Sequence, residues 1–433
     1  MNVSRTAWAA LICLACLNTE PKALVPGASD LAVKDRSNAY ASIASSGKFV
    51  VVAWGATTQD GRRDLYAATS HDGGGTFAAP VRVNAIAGEA NFSGEQPPRI
   101  ALVHRTDADP AIVVVWTAKS PAGTRLLSAR SETGGASFTR GAPVAGSDAA
   151  GNRGWESVAV NPDGSVAALW LDHRDVSPKP GAAPVNHGEH QHVTSGENKM
   201  DGVARAQLSQ LFFAALGSPG KAQSIARGVC YCCKTAMTTG PSGVIYAAWR
   251  QVYAGNVRDI AFAKSSDRGR TFTTPLRISD DNWVLDGCPE NGPGMAVDGT
   301  GRIHVVWPTL VPGPTAQSSP TLALFYATSD DGTRFTPRQQ IPTEGVPRHA
   351  QLALGAAGQI VVAWDEQAGG SRSIAIARGV VDRNGTARFH REKIATEGPA
   401  SYPVLARTDG ATIVGWTGAA AAQTVIRVKR LTD

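Results

Sequence analysis

The chain has 433 residues, 42% of them hydrophobic and 18% charged, with 46 glycines and 26 prolines. That composition excludes a disordered or coiled-coil protein and fits many short strands joined by tight turns. The formal charge of +6 comes without a block of lysines and arginines, which excludes a nucleic-acid-gripping stretch and leaves a mild bias toward small anionic ligands.

At the N-terminus, Arg5 precedes an apolar run over residues 7–17, long enough for a signal-peptide core and too short to cross a bilayer. Residues 1–21 therefore read as a signal peptide, and the mature chain as a periplasmic or extracellular protein that is not an integral membrane protein. Leu14-Ala15-Cys16 is a loose lipobox, with Cys13 where an aliphatic residue is preferred. A lipid anchor on Cys16 thus stands beside the simpler expectation of a soluble exported protein.

From residue 22 onward one pattern recurs. Its first copy has a small apolar strand, Ala41-Ser42-Ile43-Ala44, and then a β-branched run ending on tryptophan, Phe49-Val50-Val51-Val52-Ala53-Trp54. A third strand follows, Asp64-Leu65-Tyr66-Ala67-Ala68-Thr69, and a fourth, Val81-Arg82-Val83-Asn84. The tryptophan returns at Trp116, Trp170, Trp249, Trp307, Trp364 and Trp416, so seven of the ten tryptophans occupy this one station. Four antiparallel strands at a period of roughly 50 to 60 residues are the unit of a propeller blade, which buries its faces only when neighbours stack on it. The expectation is an all-β, single-domain β-propeller over residues 22–433 with seven four-stranded antiparallel blades.

The third and fourth strands of the first copy are joined by Ser70-His71-Asp72-Gly73-Gly74-Gly75-Thr76-Phe77, and those of the fourth by Ser265-Ser266-Asp267-Arg268-Gly269-Arg270-Thr271-Phe272. The second copy has Thr133 where these have Asp, and the fifth is one residue short. In such a turn the Asp caps backbone N–H groups, the glycine takes the left-handed position and the aromatic packs beneath. The motif resembles the Asp-box, or bacterial neuraminidase repeat, of sialidase-like propellers. Sialidases of that family have six blades, so the resemblance offers six as an alternative to the seven counted. The seventh copy ends after three strands, and residues 22–29 are expected to supply its fourth and close the ring.

The ligand face of such a propeller carries the segments leading into each innermost strand. Those of the fourth and fifth blades read Gly228-Val229-Cys230-Tyr231-Cys232-Cys233-Lys234 and Asp286-Gly287-Cys288-Pro289-Glu290-Asn291-Gly292. All four cysteines of the mature chain are therefore expected at the mouth of the central channel, with Met237 and Met295 just behind them. An insertion over about 176–201, carrying His187, His190, His192 and Met200, belongs to the same quadrant of the face.

Two readings of the cysteines stay open. One is structural disulfides among Cys230, Cys232, Cys233 and Cys288, with a bridge between blades four and five and a vicinal Cys232–Cys233 bond. The other is a soft-metal site with these thiolates, the two methionines and the three histidines as ligands, copper being favoured and zinc the alternative. The corresponding functional expectation is a metal-binding or redox-sensitive accessory protein.

The family resemblance implies a different activity, exo-sialidase hydrolysis, which needs an arginine cluster on a sugar carboxylate, a Tyr activated by Glu and an Asp for proton transfer. Candidates are Arg99, Arg153, Arg250 and Arg348, with Asp172 and Glu366 behind the blade tryptophans. The Phe/Tyr-Arg-Ile-Pro motif that precedes the first Asp-box in active sialidases is absent, and Pro98-Arg99-Ile100-Ala101 is its nearest echo. A third expectation is a non-catalytic propeller whose open face binds another exported protein.

Overall fold

The computed structural model describes residues 27–176, 202–217, 221–313, 315, 318–355, 358–394, 396, 398–420 and 423–432. The signal-peptide and lipobox assignments at residues 1–21 lie outside them. The described chain forms seven antiparallel sheets, each a blade, arranged as a seven-bladed propeller. The first blade is built from Arg36–Ser46, Phe49–Thr58, Arg63–Ser70 and Val81–Arg82, in that order from the axis outward. The others repeat this order, except that the innermost place in the second blade is shared by Ala90–Asn91 and Arg99–Val103.

Seven hydrophobic clusters fill the seven gaps between adjacent blades. Side chains alternate along a strand, so each tryptophan-bearing strand sends odd and even residues into different gaps. Phe49, Val51 and Ala53 pack toward the second blade, whereas Val52 and Trp54 pack toward the seventh. A strand buried on both faces must be apolar throughout, which explains the unbroken runs in the sequence. All seven station tryptophans are at most 1% exposed.

The ring closes as expected in kind, with the strand placed later than residues 22–29. Ala28–Leu31 pairs antiparallel with Gln423–Thr432 as the outer strand of the seventh blade, Ala28 opposite Lys429 and Leu31 opposite Ile426. The later register puts Leu31, the apolar side chain of the strand, into the core with Ile426 and Val428.

The repeated turns behave as their residues require. Asp72 accepts from the Gly75 and Thr76 amides, both at 2.9 Å, and from the Ser70 and Thr76 hydroxyls, both at 2.7 Å. These bonds hold its carboxyl well below the usual carboxylate range. Asp267 repeats the arrangement, and Gly74 and Gly269 adopt φ of +84° and +82°. In the second blade the Thr133 hydroxyl takes over part of the task, accepting from the Ser137 amide at 3.0 Å.

Because each tryptophan fills the gap between two blades, Trp364→Ala is expected to lower the unfolding free energy by about 3–5 kcal/mol, measurable by urea denaturation. A loss under about 1 kcal/mol would show that the gap repacks around the deletion.

Candidate functional site

A channel with a cavity volume of about 180 Å3 runs along the axis and is lined by all seven blades, among them through Ser42, Arg99, Ser157, Met237, Met295 and Gln351. At its mouth the two cysteine segments are fastened in three ways. Cys230 donates its amide to the Arg250 carbonyl at 2.9 Å, which stitches the first segment to its own blade. The Arg250 guanidinium donates to the carbonyls of Asn291 at 2.9 and 3.1 Å, Pro308 at 2.7 Å and Arg258 at 2.6 Å, which anchors the second. Glu95, from the second blade, accepts from the amides of Lys234 at 2.9 Å and Gly292 at 3.4 Å and so ties both together. Residue 292 has to be glycine here, since a Cβ would lie 2.0 Å from the Lys234 carbonyl oxygen.

The sulfurs converge as a result. Cys232 and Cys288 form a disulfide that joins the segment entering the fourth blade to the one entering the fifth. Cys230 and Cys233 are free thiols, their Sγ atoms 3.4 Å apart, and Cys230 Sγ is 3.9 Å from Cys232 Sγ. The expected bridge between blades four and five is present, and because the fastened segments bring Cys288 onto Cys232 it takes up Cys232, so the vicinal Cys232–Cys233 bond does not form. The ligand atoms of Cys230, Cys232 and Cys233 all lie within 4.8 Å of one another. Around them pack Trp155, Leu171, Val229, Met237, Trp249 and Val252 in the core between blades three and four.

Electrostatics distinguish the two thiols. Burial alone pushes Cys230 up, but the Cys233 thiol, the Arg258 guanidinium at 3.3 Å and Arg250 together reverse this and bring it below the usual thiol value. Cys233 is pushed up by burial and by its neighbour's charge. The guanidinium of Arg258 thus lies against Cys230 and favours negative charge on that sulfur. Arg250 and Arg258 are 1% and 0% exposed, and neither pairs with a carboxylate among the described residues.

The remaining candidates separate from this centre or from each other. Met237 joins the cysteine cluster, whereas Met295 packs in the next gap, between blades four and five. His187, His190, His192 and Met200 lie outside the described residues. Among the arginines, Arg153 is buried against Asp172 at 3.1 Å and four backbone carbonyls, and Arg250 is committed to carbonyls as above. Arg99 lines the channel with its Nε on the Glu156 carbonyl at 2.7 Å, and Arg348 stands opposite Asp365 in the sixth blade. Glu366 accepts from Trp364 Nε1 at 3.0 Å and pairs with Arg391. Each of Arg153, Asp172, Arg250 and Glu366 holds a blade or a loop in place.

Sequence reasoning passed over Glu95, Arg258 and a ring of strained residues. Tyr40, Trp155, His349 and Tyr402 sit at register shifts in four innermost strands, with φ between +53° and +60°. Such bulges re-aim a side chain, at a cost of about 1–3 kcal/mol each for a left-handed non-glycine. His349 Nδ1 lies 2.6 Å from Asp365 Oδ1, and its ring packs at a tilt of 33° against Tyr402 with centroids 4.1 Å apart. The signal was present as an aromatic or His just ahead of the small first strand in those four repeats.

No family model matches the sequence, nor does any curated protein. Among solved structures the chain is similar to an ulvan lyase bound to a glucuronate–sulfated-rhamnose ligand, with TM-score 0.55 and 11% identity over 92% of this chain and 94% of that one. It is also similar to a protein of unknown function from Dyadobacter fermentans, with TM-score 0.51 and 13% identity over 94% and 100%. NanB sialidase from Streptococcus pneumoniae is more distant, with TM-score 0.46 and 11% identity over 94% and 70%. At these identities the likeness extends to the propeller fold alone.

Burial pushes the Asp172 carboxyl up, but hydrogen bonds from Arg174 and Arg153 outweigh it and hold the group at about 2. A folded-state pKa below the ordinary carboxylate value of about 3.9 stabilises the fold at higher pH, and that contribution is lost as pH falls through about 2. Asp172→Asn is expected to cost about 3–5 kcal/mol at neutral pH, because Arg153 is left buried and unpaired. The variant should also lose less stability than the parent between pH 4 and pH 2, as read from urea midpoints (window set by about 3.9 and about 2). Equal acid sensitivity in both proteins would remove Asp172 from this role.

Proposed function

We propose that this protein is a soft-metal-binding accessory propeller, with copper(I) favoured over zinc, whose ligands are Cys230, Cys232 and Cys233 once the Cys232–Cys288 bridge is reduced. The observation that carries the reading is the approach of three buried sulfurs to within 4.8 Å of one another beside two buried guanidiniums. Three thiolates around one ion at the usual metal–sulfur distance of about 2.3 Å lie about 4 Å apart. The 3.4 and 3.9 Å separations are close to that spacing.

Charge supports the same conclusion. Three thiolates and a monovalent ion leave two negative charges in a dry site, and Arg258 and Arg250 supply two positive ones. Thiolate softness selects copper(I), and a buried site that offers three sulfurs suits an ion content with three ligands better than one that prefers four. Met237 is the thioether within the same cluster. An exported setting, which the apolar run at residues 7–17 supports, accounts for a cysteine set that exists partly bridged.

Protein reduced and handled anaerobically is expected to take up one copper(I) per chain in competition with a copper(I) chelator, with a thiolate-to-copper absorption band. Cys230→Ser combined with Cys232→Ser should abolish both, while Arg258→Gln, which removes one neutralising charge, should weaken binding about tenfold or more. Reduced wild-type protein that takes up neither copper nor zinc would end the proposal.

A further inference from the structure

Accessibility divides the four sulfur residues into one outer and three inner. Cys288 is exposed, whereas Cys232 is 6%, Cys233 2% and Cys230 0% exposed. The inner thiols are walled in by the core between blades three and four, so a partner in solution meets this centre at Cys288. Behind Cys288 the sulfurs form a folded row in bonding order: Cys288 bonded to Cys232, Cys230 at 3.9 Å from Cys232, and Cys233 at 3.4 Å from Cys230, with the three inner sulfurs within 4.8 Å of one another. The gaps are near the roughly 3–3.5 Å from which displacement proceeds. Arg258 Nη1, at 3.3 Å from the Cys230 sulfur, lies where the charge of an attacking thiolate would sit.

We propose that this row is a thiol–disulfide relay, with the Cys232–Cys288 bridge as its port, which exchanges two electrons between the buried Cys230/Cys233 pair and a low-molecular-weight thiol–disulfide couple in solution. In the oxidising direction the Cys230 thiol releases its proton and its sulfur bonds to Cys232. The Cys232–Cys288 bond breaks, and the electron pair leaves with Cys288, which takes up a proton. Cys233 then loses its proton and bonds to Cys230, and the electron pair leaves on Cys232, which is protonated in turn. The bridge has moved inward, leaving two thiols at the surface end. An external disulfide reoxidises these in two displacements, first at Cys288 as a mixed disulfide and then by attack of Cys232, and is released as two thiols. The sum is one buried dithiol oxidised and one external disulfide reduced.

This activity needs no metal and goes beyond the copper reading, on which it bears only by removing two of the three ligands when the inner pair is oxidised. The test uses chelator-treated protein, so that its failure and that of the metal site are separate results. Oxidised glutathione is added, exchange is stopped with acid, free thiols are alkylated and the bridges are mapped by mass spectrometry.

Wild-type protein is expected to form the Cys230–Cys233 bridge, and Cys288→Ser to form it at least about tenfold more slowly. Equal rates in the two proteins, or an inner pair that stays reduced in the wild type, would overturn the relay. A second measurement keeps the test valid if Cys288→Ser folds poorly. In wild-type protein first fully reduced, the earliest glutathione adduct must be on Cys288, and an earliest adduct on Cys230 or Cys233 is the opposing result.

Discussion

A blade of this propeller has two apolar faces and only its neighbours to cover them. Every strand that carries a station tryptophan feeds two inter-blade cores at once, so no blade is complete until the ring is. Closure through Ala28–Leu31 therefore does more than add four residues of pairing. It covers the Gln423–Thr432 strand and adds Leu31 to the core between the seventh and first blades. Repeats that differ in sequence still stack alike, because stacking asks only for an apolar, alternating strand and a large ring at its end.

Within that frame, buried cations do much of the fastening. Arg153 gathers four carbonyls and the Asp172 carboxylate around the segment entering the third blade, and Arg250 gathers three carbonyl groups around those entering the fourth and fifth. A planar guanidinium with five donors suits this task, since one side chain satisfies several main-chain acceptors that turn away from any sheet. Arg153 and Arg250, used in this way, are committed to main-chain carbonyls rather than to a ligand on the open face. The same use of Arg250, with Arg258 beside it, leaves positive charge next to the sulfurs and inclines the centre toward thiolate chemistry.

Legibility in the sequence followed the range of the interaction. The seven tryptophans, the apolar runs and the Ser70 and Ser265 turns depend on neighbours a few residues away, and each was readable in place. Convergence of Cys230, Cys232, Cys233 and Cys288 was readable as well, because equivalent stations on adjacent blades must meet at the axis. What could not be read was the pairing, since Cys232 selects Cys288 through the positions that Arg250, Glu95 and Gly292 impose on two segments far apart in sequence. Glu95 was overlooked for the same reason: it comes from a blade without cysteines and reaches across the mouth of the channel.

Period, alternation and turn chemistry thus determined the blade, its count and the location of the sulfur centre, because these are properties of short stretches repeated many times. Tertiary structure alone decided which arginines became fasteners, which cysteine became the exposed end of the bridge, and where the innermost strands bulge at Tyr40, Trp155, His349 and Tyr402. Those outcomes depend on burial and on the close approach of side chains from three or more blades. A ring sets such distances only when it closes.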